Sequence, residues 1–173
     1  MLQELTIEEF LEKLAARQPT PGGGSVAALS GALAAGLVSM AAEFSRNKDF
    51  SEQARTLMKT LMQLIDRDAK AFASRDLREA TRVPLQTAKH SYAVLKLAGD
   101  LLETCNPKVI TDIGVAAKMA EAAVKGAMLN VGVNLASIRD EDYKQAVFKE
   151  AEEFSCPDSM AKMIVDNIEA RLN

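Results

Sequence analysis

The chain has 173 residues, 48% of them hydrophobic but only 5% aromatic, with no tryptophan and a formal charge of −3. That length suits one domain, residues 1–173, with a sizeable core, and the mild acidity gives no electrostatic case for nucleic acid or an acidic membrane. Cys105 and Cys156 lack metal-ligand spacing, and no signal peptide precedes them, so they read as reduced, cytosolic small hydrophobes.

Thr6-Ile7-Glu8-Glu9 forms a capping box, and Ile7, Phe10, Leu11 and Leu14 give the first helix an apolar stripe. Pro19 ends it. In Pro19-Thr20-Pro21-Gly22-Gly23-Gly24-Ser25 the glycines are expected to turn through φ > 0, with Ser25 capping the next helix, about 25–44. Such a turn offers unscreened N–H groups to an anion or a polar ligand edge; equally, the glycines serve only close helix packing. Neither Walker nor Rossmann spacing is present. Ser25 to Ala42 carries no charge and is about long enough to cross a bilayer. Its Ala, Ser and Gly content favours a helix enclosed by protein, with Gly31 and Ala35 at close contacts and no membrane partner.

The link 45–49 leads to a third helix, about 51–78. Leu57, Leu61, Leu64, Asp68 and Phe72 share its apolar side, while Lys59, Gln63, Asp66 and Lys70 form the solvated side. A carboxylate on the apolar side is desolvated and needs a partner. It is either an acid/base group or a buried Asp bonded to a neighbouring group. Pro84 opens a fourth helix, about 84–105, broken by Asn106-Pro107. Thr111-Asp112 caps a fifth, to about Leu135, with Ala116, Ala120, Ala123, Ala127, Asn130 and Asn134 along one face. The Asn amides bond another helix or a second subunit, or line a cavity. Asp140 starts a sixth helix, and Cys156-Pro157-Asp158 separates a seventh ending near Leu172. His90, the only histidine, reads as structural. The expected fold is an all-α, single-domain bundle of six or seven long helices without a sheet.

Five motifs occur in order along nearly the whole chain: Pro19-Thr20-Pro21-Gly22-Gly23-Gly24-Ser25; Asp68-Ala69-Lys70-Ala71-Phe72; Val83-Pro84-Leu85; Thr111-Asp112-Ile113-Gly114-Val115-Ala116-Ala117; and Asn130-Val131-Gly132-Val133-Asn134-Leu135. Together they resemble the cyclodeaminase/cyclohydrolase family of folate enzymes. That family includes the C-terminal domain of formiminotransferase-cyclodeaminase and free-standing methenyltetrahydrofolate cyclohydrolases. The resemblance implies an all-helical homodimer that binds a tetrahydrofolate derivative; no ligand cluster in the sequence indicates a metal or a cofactor beyond that substrate, and the cysteine usage fits a cytoplasmic protein. The resemblance also implies that Asp68 is the catalytic residue. Pro21, Gly22, Gly23, Gly24 and Ser25, with Asp112, Asn130 and Asn134, would form the substrate site. Arg46 and Lys48 would meet the glutamate tail. Hydrolysis of 5,10-methenyltetrahydrofolate to 10-formyltetrahydrofolate is the favoured activity, because the formiminotransferase part is missing from this chain. Formiminotetrahydrofolate cyclodeaminase is the alternative, and a non-catalytic folate-binding or dimerisation module is another. The chain departs from the family pattern in a shortened Ala73–Arg82 region and a 46–48 link about one residue short.

Overall fold

The computed structural model describes residues 1–172. Seven α-helices occur among them: α1 Ile7–Ala15, α2 Gly23–Phe44, α3 Lys48–Ser74, α4 Leu77–Leu101, α5 Ile110–Ala136, α6 Glu141–Glu152 and α7 Pro157–Leu172. Short 3-10 turns precede α1 (Leu2–Glu4) and α5 (Pro107–Val109), and no strand occurs among the described residues.

The apolar composition of α2 makes it the centre of the bundle. Ala28, Ala34, Ala35, Val38, Ala41 and Ala42 are fully buried, and α3, α4 and α5 pack around them. Small side chains let these helices approach closely, and Gly31 shows the limit: a Cβ there would overlap Ser91 Oγ on α4 and lie 3.2 Å from Leu61 on α3. The helix is long and apolar enough to span a membrane, but 61% of its most apolar window is buried inside the protein. Helices α2 and α5 run antiparallel. Ser30 Oγ donates to Met119 O at 2.9 Å, and a Cβ on Gly126 would lie 3.7 Å from that of Ala27. The alanine face of α5 (Ala116, Ala120, Ala123 and Ala127) is buried as expected.

The capping box at Thr6 is present, with Thr6 Oγ1 accepting from Glu9 N–H. Only Phe10 of the proposed stripe is fully buried, however; Ile7 and Leu11 are exposed. Three other boundaries differ from expectation. First, α2 starts at Gly23 with Gly22 as N-cap, so Ser25 lies inside the first turn. No glycine has positive φ; the left-handed residues are Arg46 and Arg75. Second, the 45–49 link shrinks to three residues because the Asn47 side chain caps α3 by accepting from Phe50 N–H. Third, α3 ends at Ser74, and Asp76 caps α4 by accepting from Arg78 and Glu79 N–H.

Pro84 therefore lies inside α4. Its missing N–H leaves the Ala80 carbonyl without its i+4 donor. Asn134 on α5 supplies one, with Nδ2 donating to Ala80 O at 2.6 Å. Two of the sequence motifs thus meet at one hydrogen bond. At the other end of the bundle neither Thr111 nor Asp112 caps α5, which has no side-chain cap, and Asn106 caps the 3-10 turn ahead of it. Its Oδ1 accepts from Lys108 N–H, and its Nδ2 donates to Phe44 O at the end of α2.

Candidate active site

The first turn of α2 has no side-chain cap of its own at Gly22. A carboxylate from α3 takes that place. Ser25, fully buried, donates its Oγ proton to Asp68 Oδ2 at 2.7 Å, and its main-chain N–H also holds the Asp68 carboxylate. A Cβ on Gly24 would lie 2.6 Å from Asp68 Cγ, so only glycine lets the carboxylate lie against the backbone. The glycine thus provides close approach rather than an unusual φ.

Two opposing effects act on Asp68. Burial disfavours its charge, while the Ser25 hydrogen bonds favour it. Burial is the larger, and holds the carboxyl above the usual carboxylate range. A half-buried acid that still forms two hydrogen bonds at a helix N-terminus is suited to taking and returning a proton.

Asn130 lies beside the same turn. A Cβ on Gly23 would be 3.9 Å from its Nδ2, which donates to Gly126 O of its own helix at 2.9 Å. Pro21 is buried, whereas Gly23 is exposed. Pro21, Gly22, Gly23, Gly24, Ser25, Asp68 and Asn130 therefore gather at one end of the bundle, with Asn134 one turn beyond Asn130. Arg46, Lys48 and Asp112 do not join them. Arg46 and Lys48 follow the far end of α2, whose 22 residues span about 33 Å. Asp112 is in the first turn of α5, about 27 Å along that helix from Asn130. It lies near Cys105, whose thiol burial pushes up. An acidic groove of about 780 Å³ between α3 and α4, lined by Asp49, Glu52 and Asp100 among others, also belongs to this far end.

A sequence model of the formiminotransferase-cyclodeaminase family matches residues 6–75 and 73–153. The chain belongs to this family. The methenyltetrahydrofolate cyclohydrolase of Methylorubrum extorquens is 35% identical, the alignment covering 85% of this chain and 87% of that protein. The formimidoyltransferase-cyclodeaminase of Rattus norvegicus is 28% identical over 98% of this chain, which spans 38% of the rat protein's length. The crystal structure of formiminotetrahydrofolate cyclodeaminase from Thermotoga maritima superposes with a TM-score of 0.93, at 25% identity and full coverage of both chains.

Within the family match, the two overlapping segments meet at residues 73–75, where α3 turns into α4 through only Arg75 and Asp76. The shortened region is thus a tight helical hairpin. Two residues on α3 depart from the sequence reading. Asp66, assigned to the solvated side, is buried at 8% exposure, because the segment Leu2–Glu4 folds over it and Leu2 N–H donates to its Oδ1 at 2.6 Å. Phe72, assigned to the apolar side, is 61% exposed. Periodicity within α3 could not reveal the 3-10 segment that covers one and the end of α2 that leaves the other bare. His90 is half-buried, and burial lowers its pKa, as suits a structural histidine. Among the described residues no cluster of three or more His, Cys, Asp or Glu is placed to hold a metal.

Proposed function

We propose that the chain is a cytoplasmic folate enzyme that hydrolyses 5,10-methenyltetrahydrofolate to 10-formyltetrahydrofolate, with Asp68 as its acid/base group. The observation that carries this reading is the half-buried Asp68 carboxyl held by Ser25 at the glycine turn. The substrate's one-carbon bridge is an amidinium cation, which an adjacent carboxylate stabilises. Water attacks the bridging carbon, and Asp68 accepts its proton. As the ring opens, the same carboxyl returns a proton to the departing nitrogen, and the remaining hydroxyl proton passes to solvent as the formyl C=O forms. Pro21, Gly22, Gly23, Gly24 and Asn130 would contact polar edges of the substrate, while Asn134 acts indirectly through Ala80. The reaction asks for no metal and no cofactor beyond the folate itself.

Arg46, Lys48 and Asp112 cannot reach a substrate at Asp68 of their own chain, given the length of α2. A homodimer would bring them within reach from a partner. Support comes from the outer side of the α2–α5 pair, where Val26, Leu33, Val115, Leu129 and Val133 are exposed along two adjacent helices. An apolar face of this kind favours association. Light scattering that gives a stable monomer would overturn the dimer.

The second reading is formiminotetrahydrofolate cyclodeaminase, favoured by the full-length superposition on the Thermotoga maritima enzyme. There N10 attacks the formimino carbon and ammonia leaves, which asks the same carboxyl for proton transfers. Loss of methenyltetrahydrofolate absorbance, corrected for spontaneous hydrolysis, tests the first reading. Ammonia released from formiminotetrahydrofolate tests the second. No turnover of either substrate would overturn both.

A further inference from the structure

Asp68 and Phe72 occupy positions i and i+4, which places them along one side of α3, and Arg75 follows as its C-cap, one turn beyond Phe72 along the axis. This is also the side of Leu61 and Leu64, which are buried. Phe72 is exposed because α2 begins at Gly23, level with Asp68, so one helical turn farther along α3 nothing of α2 remains to cover an aromatic ring. Arg75 follows where the two-residue turn leaves α3, with φ 59°.

The charge environment separates Arg75 from its neighbours. At this end of the α3–α4 hairpin, Arg67 pairs with Glu79 at 2.8 Å, Arg78 with Asp140, and Arg82 with Glu150 at 4.0 Å. Among the described residues Arg75 forms no ion pair and is exposed. Lys70 is also exposed, but two residues from Asp68 it lies on the opposite side of the helix. One reactive carboxyl, one uncovered aromatic ring and one uncommitted arginine therefore follow one another in that order along the axis of α3.

Building on the folate reading above, we propose that Phe72 and Arg75 are the specificity residues for the part of the substrate beyond its reacting bridge. The order of groups in the substrate is the same as on the helix. The reacting carbon is bonded to N10, N10 to the aminobenzoyl ring, and the far side of that ring to the glutamate. With the bridge at Asp68, the aminobenzoyl ring comes to Phe72, one turn away. The glutamate carboxylates come to Arg75, about 10 Å along the axis. An aromatic face is suited to the ring, and a guanidinium to a carboxylate. This places tail recognition at the tight hairpin rather than at Arg46 and Lys48 of the same chain.

The test uses two substrates, methenyltetrahydrofolate and its counterpart lacking the glutamate, methenyltetrahydropteroate. Arg75→Asn, which keeps a residue tolerant of left-handed φ, is expected to raise KM about tenfold for the glutamate-bearing substrate only, with kcat unchanged. Arg75→Lys should restore part of the loss. Phe72→Leu should raise KM about three- to tenfold for both substrates, and Phe72→Tyr should not. Calorimetric binding of 5-formyltetrahydrofolate, which does not turn over, reads the same strip apart from catalysis. Wild-type binding without turnover would overturn the catalytic reading alone. Equal effects of Arg75→Asn on both substrates would overturn the strip alone. If Phe72→Leu changes only the association state in light scattering, Phe72 belongs to a subunit contact and its assignment falls.

Discussion

Ser25 Oγ donates to Asp68 Oδ2 at 2.7 Å, joining the first turn of the central helix to the carboxyl on α3. The Ser25 main-chain N–H also reaches this carboxylate, so Asp68 takes the capping role that Gly22, without a side chain, cannot. The carboxyl's protonation is set between two opposing influences, burial and hydrogen bonding, with burial the stronger.

Asp68→Asn should reduce kcat by about 10²- to 10⁴-fold, the usual range for a lost acid/base group. Its effect on stability has the opposite sense. The folded-state pKa is raised, so the folded protein holds the proton more tightly than the unfolded chain, and this group's contribution to stability falls as pH rises through the raised value. The thermal midpoint of Asp68→Asn relative to wild type should therefore increase from about pH 4, near the unfolded Asp value, to pH 8. A relative midpoint that falls over the same range would show that the carboxylate stabilises the fold.

Ser25→Ala removes the hydroxyl that favours the Asp68 anion. Asp68 must be ionised to act as a base, so the acid limb of kcat/KM against pH should move to higher pH in this variant. An unmoved limb with an unchanged maximum would separate Ser25 from the reaction.

Gly24→Ala and Gly23→Ala should differ despite being adjacent. At Gly24 the new methyl overlaps the Asp68 carboxylate, so that side chain must leave Ser25, with about 1–3 kcal/mol of destabilisation and lost turnover. At Gly23 the methyl meets only Asn130 Nδ2, at an ordinary 3.9 Å. Chemical denaturation and initial rates on the two proteins check the contrast.

Asn134→Ala strands the Ala80 carbonyl, which Pro84 has already deprived of its helical donor. A cost of about 1–3 kcal/mol is expected from the unsatisfied group. Pro84→Ala restores an N–H at that position, so in the double variant the cost should shrink. Additive effects in the denaturation cycle would mean that the two residues act separately.

The sequence conveyed the helices and the apolar-side place of Asp68 for one reason: both depend on spacing along a single element. Helical registry set Asp68 among Leu61 and Leu64, and the alanine face of α5 is buried as its pattern implies. What depended on a second element was less legible. Asp66 is buried by a 3-10 segment 64 residues away, Phe72 is bared by the starting point of another helix, and Pro84 is tolerated in α4 because Asn134 lies opposite. Arg46, Lys48 and Asp112 carry the right chemistry for a folate site. Arg46 and Lys48 are far from Asp68 because the whole length of α2 separates them from the glycine turn, and Asp112 is far because α5 pairs antiparallel with α2, which no local pattern encodes.

The location of the glycine turn has a dynamic consequence. It opens a helix enclosed by α3, α4 and α5, so the amides just inside it should exchange with deuterium only when the whole bundle opens. Helix α6, with Val147 as its one buried residue, should exchange far sooner. The Asp68 carboxyl is thus fastened to the slowest-opening part of the molecule. Any motion that admits a ligand must come from the periphery, while that carboxyl keeps its place.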